Sequence, residues 1–210
     1  MTTSILDRLD ALPLVAILRG LTPEEAVDVG EALLTAGFTC LEVPLNSPRP
    51  LESIRLLRDA LGDRALVGAG TVLTPQAVRE VVEAKGQLII SPNADPDVIR
   101  ETVAVGALSM PGVFTATEAF AALKAGAQVL KLFPSEIAGP AGLKALRAVL
   151  PAGQRLYAVG GVTPETLATW HAAGASGFGI GGALFKPGMT PAEVGERAHT
   201  FVDAWRAIGD

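Results

Sequence analysis

The sequence predicts an α/β fold, a single (β/α)8 TIM barrel with an N-terminal helix, formed by one domain over residues 1–210. Eight short aliphatic runs alternate with longer stretches of helical periodicity, and each run is almost continuously apolar, which is typical of parallel strands covered on both faces. The 210 residues divide into eight units of roughly 26 residues, compact but sufficient for such a barrel. An open doubly wound sheet is the alternative, and six or fewer true strands would favour it.

Each predicted strand is followed by a helix with a recognisable start. The strands are residues 14–18, 39–43, 65–68, 87–90, 107–110, 128–132, 155–159 and 177–180. A capping side chain followed by proline marks the helix starts at Pro23, Pro75, Pro96, Pro164 and Pro191, because the missing proline N–H has no helical partner there. Glycines at 37, 126 and 174 end helices, since glycine readily adopts the left-handed closing conformation.

Charge and composition exclude several function classes. The chain has 22 acidic and 17 basic side chains and a net charge of −5, which argues against nucleic acid or an anionic membrane as partner. The longest uncharged run, residues 166–185, contains five glycines and is not expected to span a membrane. Cys40 is the single cysteine and the N-terminal residues lack a secretory signal, so we expect a cytoplasmic protein.

Lys131 and Glu42 are the candidate catalytic residues. Lys131 is the one lysine of five that lies inside an apolar strand, where burial lowers the pKa of the amine and frees it to attack a carbonyl. Glu42 has similarly apolar neighbours, which raise the pKa of its carboxyl and suit it to transfer protons in both directions. The alternative for both is structural: a lysine that reaches solvent, or an ion pair between the two or between Glu42 and Arg19.

The carboxyl ends of the other strands carry the remaining candidate site residues. Barrel strands converge there on one mouth, and the polar groups in place include Arg19, Thr71 and Pro92–Asn93. Two glycine clusters, 160–161 and 179–182, fit a phosphate cradle, because an anion approaches backbone N–H groups closely only where side chains are absent. Tight turns are the alternative explanation for the glycines. No metal site is predicted, since both histidines lie in helical stretches.

Several segments together resemble the short class I aldolases that cleave 2-keto-3-deoxy-6-phospho sugar acids, over nearly the whole chain. The segments are residues 16–20, 42–47, 68–73, 92–93, 131–134 and 158–164. Gluconate-type members usually carry threonine and arginine where this chain has Pro44 and Asn46, so the likeness is to the galactonate-type branch. Many relatives have serine at the position of Gly182, so the resemblance implies that this chain lacks one hydroxyl contact to phosphate or replaces it with a backbone contact.

The resemblance implies a role for each candidate. Lys131 would form a Schiff base, and Glu42 would act as both acid and base. The substrate would be bound by four residues, Arg19, Thr71, Pro92 and Phe133. Phosphate would be bound by the backbone of four glycines, Gly160, Gly161, Gly181 and Gly182. It implies no cofactor and no metal, a phosphorylated 2-keto-3-deoxy sugar acid as substrate, pyruvate and glyceraldehyde 3-phosphate as products, and a homotrimer. Alternatives are the gluconate epimer or 4-hydroxy-2-oxoglutarate as substrate, a phosphosugar epimerase, and a non-catalytic sensor of a phosphorylated sugar acid.

Overall fold

The computed structural model describes residues 4–209, so residues 1–3 and 210 of the predicted domain lie outside the described residues. Within this range the helices are α1 (Ile5–Ala11), α2 (Pro23–Ala36), α3 (Pro50–Leu61), α4 (Pro75–Glu83), α5 (Pro96–Ala104), α6 (Ala116–Ala125), α7 (Ser135–Arg147), α8 (Leu167–Ala172) and α9 (Pro191–Gly209). The strands are β1 (Leu14–Ile17), β2 (Cys40–Pro44), β3 (Leu66–Gly70), β4 (Leu88–Ile90), β5 (Leu108–Met110), β6 (Gly112–Val113), β7 (Val129–Leu132), β8 (Arg155–Val159) and β9 (Gly177–Ile180).

The strands form one parallel sheet that curls into a barrel. Its order is β5-β4-β3-β2-β1-β9-β8-β7-β6. Pro111 alone separates β5, which pairs with β4, from β6, which pairs with β7, so these two short strands together close the barrel as its fifth strand. Proline has no N–H and interrupts the ladder at this point, but its carbonyl still accepts a hydrogen bond of 3.0 Å from the Lys131 amide. The predicted (β/α)8 barrel is confirmed, and the alternative of an open sheet is wrong.

The capping residues and closing glycines predicted from the sequence are found at most helix ends. Thr74 and Asp95 cap α4 and α5, accepting hydrogen bonds from Ala77 N and Asp97 N at 3.1 and 2.8 Å. Gly37 and Gly126 close α2 and α6 in the left-handed conformation, with φ of 109° and 107°. The start predicted at Pro164 differs: it begins a single 3-10 turn, Pro164–Thr166, and α8 follows it. α1 confirms the predicted N-terminal helix.

Two apolar cores hold the barrel together. The larger core lies between the strands and the surrounding helices. The smaller one fills the inside of the barrel and includes Cys40, Val129 and Tyr157, with Leu9 of α1 packed against it. Because side chains alternate along a strand, Glu42 and Lys131 share the inner face with Cys40 and Val129, two residues nearer the carboxyl ends. No helix within residues 4–209 combines the length and apolarity needed to cross a membrane.

Candidate active site

Glu42 on β2 and Lys131 on β7 are two ionisable groups on the inner face of the barrel. Their exposed fractions are 3% and 6%. Burial raises the pKa of Glu42 to about 7, against the opposing effect of the Lys131 and Arg19 cations. Burial also lowers the pKa of Lys131, and the Glu42 carboxylate only partly offsets this. Both shifts disfavour the charged forms, so the pair has the two properties expected from the sequence: an amine that loses its proton readily and a carboxyl that titrates near neutral pH.

Gly70 at the end of β3 makes room for the Glu42 carboxyl. A Cβ atom at position 70 would lie 1.4 Å from Glu42 Oε2, so any larger residue would displace the carboxylate. The backbone of Glu42 is fixed from the other side, where its carbonyl accepts a 2.9 Å hydrogen bond from Leu18 N. Gly70 was not predicted as a site residue, and the signal that marks it is a glycine ending a strand directly before Thr71.

Lys131 lies under an aromatic ring at the rim of the barrel. Its Nζ is 4.8 Å from the centroid of the Phe133 ring, and the Phe133 side chain is 36% exposed. A ring face attracts a cation, so this contact favours the protonated amine and partly opposes the effect of burial. The structure therefore brings the predicted residue Phe133 into direct contact with the candidate nucleophile.

Arg19 follows β1 and is tied to the loop that follows Glu42. Its Nη1 donates a 2.6 Å hydrogen bond to Asn46 Oδ1, and a second bond joins the same loops, from Gly20 N to Ser47 Oγ at 2.9 Å. The Arg19 charge lowers the pKa of both Glu42 and Lys131, which places the guanidinium within electrostatic range of both. The sequence marked Asn46 as a departure from gluconate-type relatives but gave it no role.

A cavity of about 370 Å³ opens at this end of the barrel and brings most of the predicted site residues together. Its lining includes Arg19, Phe133, Gly160, Gly161, Gly181 and Gly182. Gly160 and Gly161 have φ of 109° and 68°, a conformation that favours glycine. A Cβ at Gly160 would also lie 1.8 Å from Glu136 Oε2, so the Glu136 carboxylate borders the cradle, and no sequence signal indicated this. Gly182 has space around it: the nearest atom to an added Cβ is Lys186 Cε at 3.9 Å.

Four predicted site residues lie at the same barrel end but do not line this cavity: the catalytic candidates Glu42 and Lys131, together with Thr71 and Pro92. Thr71 follows Gly70 and has φ of 58°. That left-handed conformation is strained for a β-branched residue, and such strain is concentrated at functional sites. Pro92 follows β4, and its carbonyl oxygen packs so closely on Gly112 that a Cβ there would lie 2.3 Å from it. For Pro92 the structure shows a packing role in closing the barrel.

A larger cavity, of about 460 Å³, lies at the opposite end of the barrel. Its lining includes Leu12, Gly37 and Thr39, which precede strands, together with His171 and Trp205. The His171 and Trp205 rings pack edge to face with centroids 5.3 Å apart. Active sites of such barrels lie at the carboxyl ends of the strands, so we assign the site to the smaller cavity. Within residues 4–209 no three His, Cys, Asp or Glu side chains are grouped so that they could hold a metal ion.

Comparison with known proteins gives a consistent result. Residues 5–199 match the family model described as KDPG and KHG aldolase. The chain is 51% identical, over 93% of its length and 95% of the other protein, to 2-dehydro-3-deoxy-6-phosphogalactonate aldolase of Escherichia coli K12. A solved structure described as native KDPGal superposes with a TM-score of 0.93 and 50% identity, over 94% of this chain and 96% of that one. KDPG aldolase from Legionella pneumophila, solved with pyruvate as a covalent carbinolamine, gives a TM-score of 0.81 and 25% identity over 96% of both chains.

Proposed function

The chain belongs to the KDPG and KHG aldolase family, and from that premise we propose that it cleaves 2-dehydro-3-deoxy-6-phosphogalactonate to pyruvate and glyceraldehyde 3-phosphate. Members of the family are class I aldolases, carbon–carbon lyases that act through a Schiff base. One structural observation supports the residue roles: a lysine of lowered pKa and a glutamate of raised pKa lie inside the barrel mouth, next to a cavity with a glycine cradle. The 51% identity to the galactonate-type enzyme supports the choice of substrate.

The proposed reaction starts with the neutral amine of Lys131. Its lone pair attacks the C2 ketone, and Glu42 donates the proton with which the carbinolamine loses water to form an iminium. The C3–C4 bond then breaks as the C4 hydroxyl gives its proton to Glu42, directly or through water, and the bonding electrons move into the iminium. Glyceraldehyde 3-phosphate leaves, the enamine is protonated at C3, and water releases pyruvate from Lys131. The iminium accepts the electrons of the broken bond, so the reaction needs no external oxidant or reductant.

Reduction with borohydride in the presence of pyruvate tests the role of Lys131. Borohydride reduces the iminium irreversibly, and we expect peptide mapping by mass spectrometry to place the pyruvyl adduct on Lys131. Lys131→Met keeps the volume of the side chain, and we expect it to fold, to form no adduct and to lose nearly all turnover. Lys124→Met, on the exposed side of α6, is the matched control and should behave as the wild type. An adduct on a different lysine, or none in the wild type, would defeat the proposal.

Cleavage rates measured side by side on the three candidate substrates test which of them is the substrate. We expect kcat/KM to be highest for the galactonate epimer, followed by 2-dehydro-3-deoxy-6-phosphogluconate and 4-hydroxy-2-oxoglutarate. A higher kcat/KM for the gluconate epimer would reassign the substrate while leaving the Schiff-base chemistry intact. An epimerase or a sensor that only binds sugar acids would release no pyruvate from any of the three.

We also propose that the protein is a cytoplasmic homotrimer. Exposed apolar side chains on neighbouring helices α5 and α6 and the loop before α6 support self-association: Val103, Phe114 and Phe120 are 40%, 44% and 46% exposed. Cys40, the single cysteine, is a buried free thiol, which is consistent with a reducing compartment.

A further inference from the structure

Arg19 stands on the exposed side of the site, yet its guanidinium is held in one place. The strand β1 ends at Ile17 and Leu18 is buried, whereas Arg19 is exposed and lines the cavity. One of its five N–H donors bonds to Asn46 Oδ1 at 2.6 Å, which leaves the others for a ligand. An exposed arginine samples many rotamers in water, so a single well-placed acceptor fixes the direction of its charge.

The position of that charge indicates which part of the substrate it meets. Arg19 lines the cavity, and the neighbouring strands β1 and β2 pair with Ile17 opposite Glu42. Leu18 N also donates a 2.9 Å hydrogen bond to the Glu42 carbonyl, so Arg19 leaves β1 beside the strand that carries Glu42. In a 2-keto acid the carboxylate is bonded directly to the carbon that the amine attacks. Arginine suits this group because its planar fork matches the two carboxylate oxygens.

We propose that Asn46 is a positioning residue that directs Arg19 toward the carboxylate of the 2-keto acid; this inference rests on the proposed aldolase function. The amide of Asn46 suits the task because it accepts a hydrogen bond without neutralising the guanidinium. A carboxylate at the same place would accept the bond equally well but would compete with the substrate for the positive charge. The residue type at position 46 therefore sets how tightly the enzyme holds the acid group of its substrate.

Two substitutions separate orientation from charge. Asn46→Ala removes the acceptor and leaves Arg19 free, and Asn46→Asp keeps the acceptor and the side-chain shape but adds a negative charge. The measured quantity is the concentration of pyruvate that gives half-maximal borohydride adduct on Lys131. We expect this concentration to rise roughly 3- to 10-fold for Asn46→Ala, the effect of one unrestrained long side chain. For Asn46→Asp we expect roughly 10- to 100-fold, the effect of losing a charged hydrogen bond.

Pyruvamide, which has the ketone of pyruvate but no carboxylate charge, is the neutral probe. We expect both variants to trap pyruvamide at the wild-type concentration and to reach the wild-type maximum with pyruvate, since Lys131 is untouched. Ser47→Ala is the matched control, because it breaks the other bond between the same loops, Gly20 N to Ser47 Oγ, without touching Arg19. It should leave the pyruvate concentration unchanged.

Three results would overturn the inference. The first is a pyruvate response of Asn46→Asp equal to that of the wild type, and the second is a parallel shift with pyruvamide, which would show a general disturbance of the site. The third is an equal shift in Ser47→Ala, which would assign the effect to the loop contact alone. If the wild type traps no pyruvate on Lys131, the proposed function itself fails, and that outcome is distinct from all three.

Discussion

At the scale of single residues, the site depends on how unfavourable a charge is inside an apolar barrel. Glu42 titrates near pH 7, because burial raises its pKa more than the two nearby cations lower it. Lys131 shifts in the opposite direction for the same reason. One cause, the low polarity of the barrel interior, thus lowers the pKa of the amine and raises that of the carboxyl.

The raised pKa of the Glu42 carboxyl predicts how the activity of the enzyme depends on pH. Glu42 acts as an acid when the carbinolamine loses water and as a base when the C3–C4 bond breaks. Where this cleavage is the slow step, the carboxylate form is needed, so we expect wild-type kcat to rise with pH through about 7, the pKa of Glu42. Glu42→Gln should lose this rise, and its turnover should be roughly 10²- to 10⁴-fold lower. The check is kcat measured from pH 5 to 9 for both proteins. A variant that keeps the acidic limb would assign that limb to another group.

The same raised pKa affects stability with a definite sign, which serves as a control for folding. The unfolded state releases the Glu42 proton near its ordinary pKa of 4.5 and the native state only near 7, so the wild type loses stability as pH rises across this range. Glu42→Gln lacks the titrating group, and we expect its melting temperature relative to the wild type to increase from pH 5 to 8.

A substitution at Gly70 tests whether the position of the Glu42 carboxylate matters for catalysis. In Gly70→Ala the new Cβ would lie 1.4 Å from Glu42 Oε2, so the carboxylate has to move. We expect kcat to fall by at least roughly tenfold without removal of any reacting group, because misplacing a catalytic group is expensive. Gly195→Ala in α9 is the matched control, since its Cβ would meet nothing closer than 3.8 Å. Full activity of Gly70→Ala would show that the Glu42 position is not critical.

At the scale of elements, α1 closes the end of the barrel that lies away from the site. Leu9 is fully buried and packs on the inner core with Val15, Cys40 and Tyr157. A capping box at Ser4 also stabilises the start of the helix. The capping box and the packing of Leu9 together stabilise a helix that is short. The barrel interior is in this way sealed at one end and open to the substrate at the other.

Leu9→Ala is therefore expected to cost stability but not catalysis. Removing a fully buried leucine leaves a cavity and should lower the free energy of unfolding by about 2–5 kcal/mol, measured by urea denaturation. Leu73→Ala, at a position that is 50% exposed, is the matched control and should change it by less than about 0.5 kcal/mol. The kcat of folded Leu9→Ala should equal that of the wild type, and a large fall would show that α1 shapes the site.

At the scale of the whole molecule, the exposed apolar side chains of α5 and α6 and of the loop before α6 predict self-association. Phe114 and Phe120 are 44% and 46% exposed, an unfavourable exposure in a monomer. We expect light scattering after gel filtration to give the mass of a trimer, and the double variant Phe114→Glu/Phe120→Glu to give that of a monomer. Val149→Glu, at a 55% exposed position that follows α7 and belongs to neither α5 nor α6, should leave the trimer intact. A monomeric wild type would refute the homotrimer.

The sequence by itself determined the succession of strands and helices, the helix caps and the candidates Lys131 and Glu42. Each of these depends on local properties: apolar periodicity, the geometry of a helix end, and the cost of an ionisable group within an apolar run. The eight predicted strands correspond to the barrel strands, because strands that are buried on both faces are almost continuously apolar.

Only the tertiary structure decided which side chains meet at the site. Continuously apolar strands do not show which face is interior. The register of β2 with β3 pairs Glu42 with Gly68, and only the side-chain positions show that the Glu42 carboxyl reaches the space at Gly70. The split of the fifth strand at Pro111 likewise depends on two different neighbouring strands. Arg19 and Asn46 are 27 residues apart, and Glu136, in the first turn of α7, meets Gly160. A local pattern holds no information about such pairs, because they are created by the closure of the barrel.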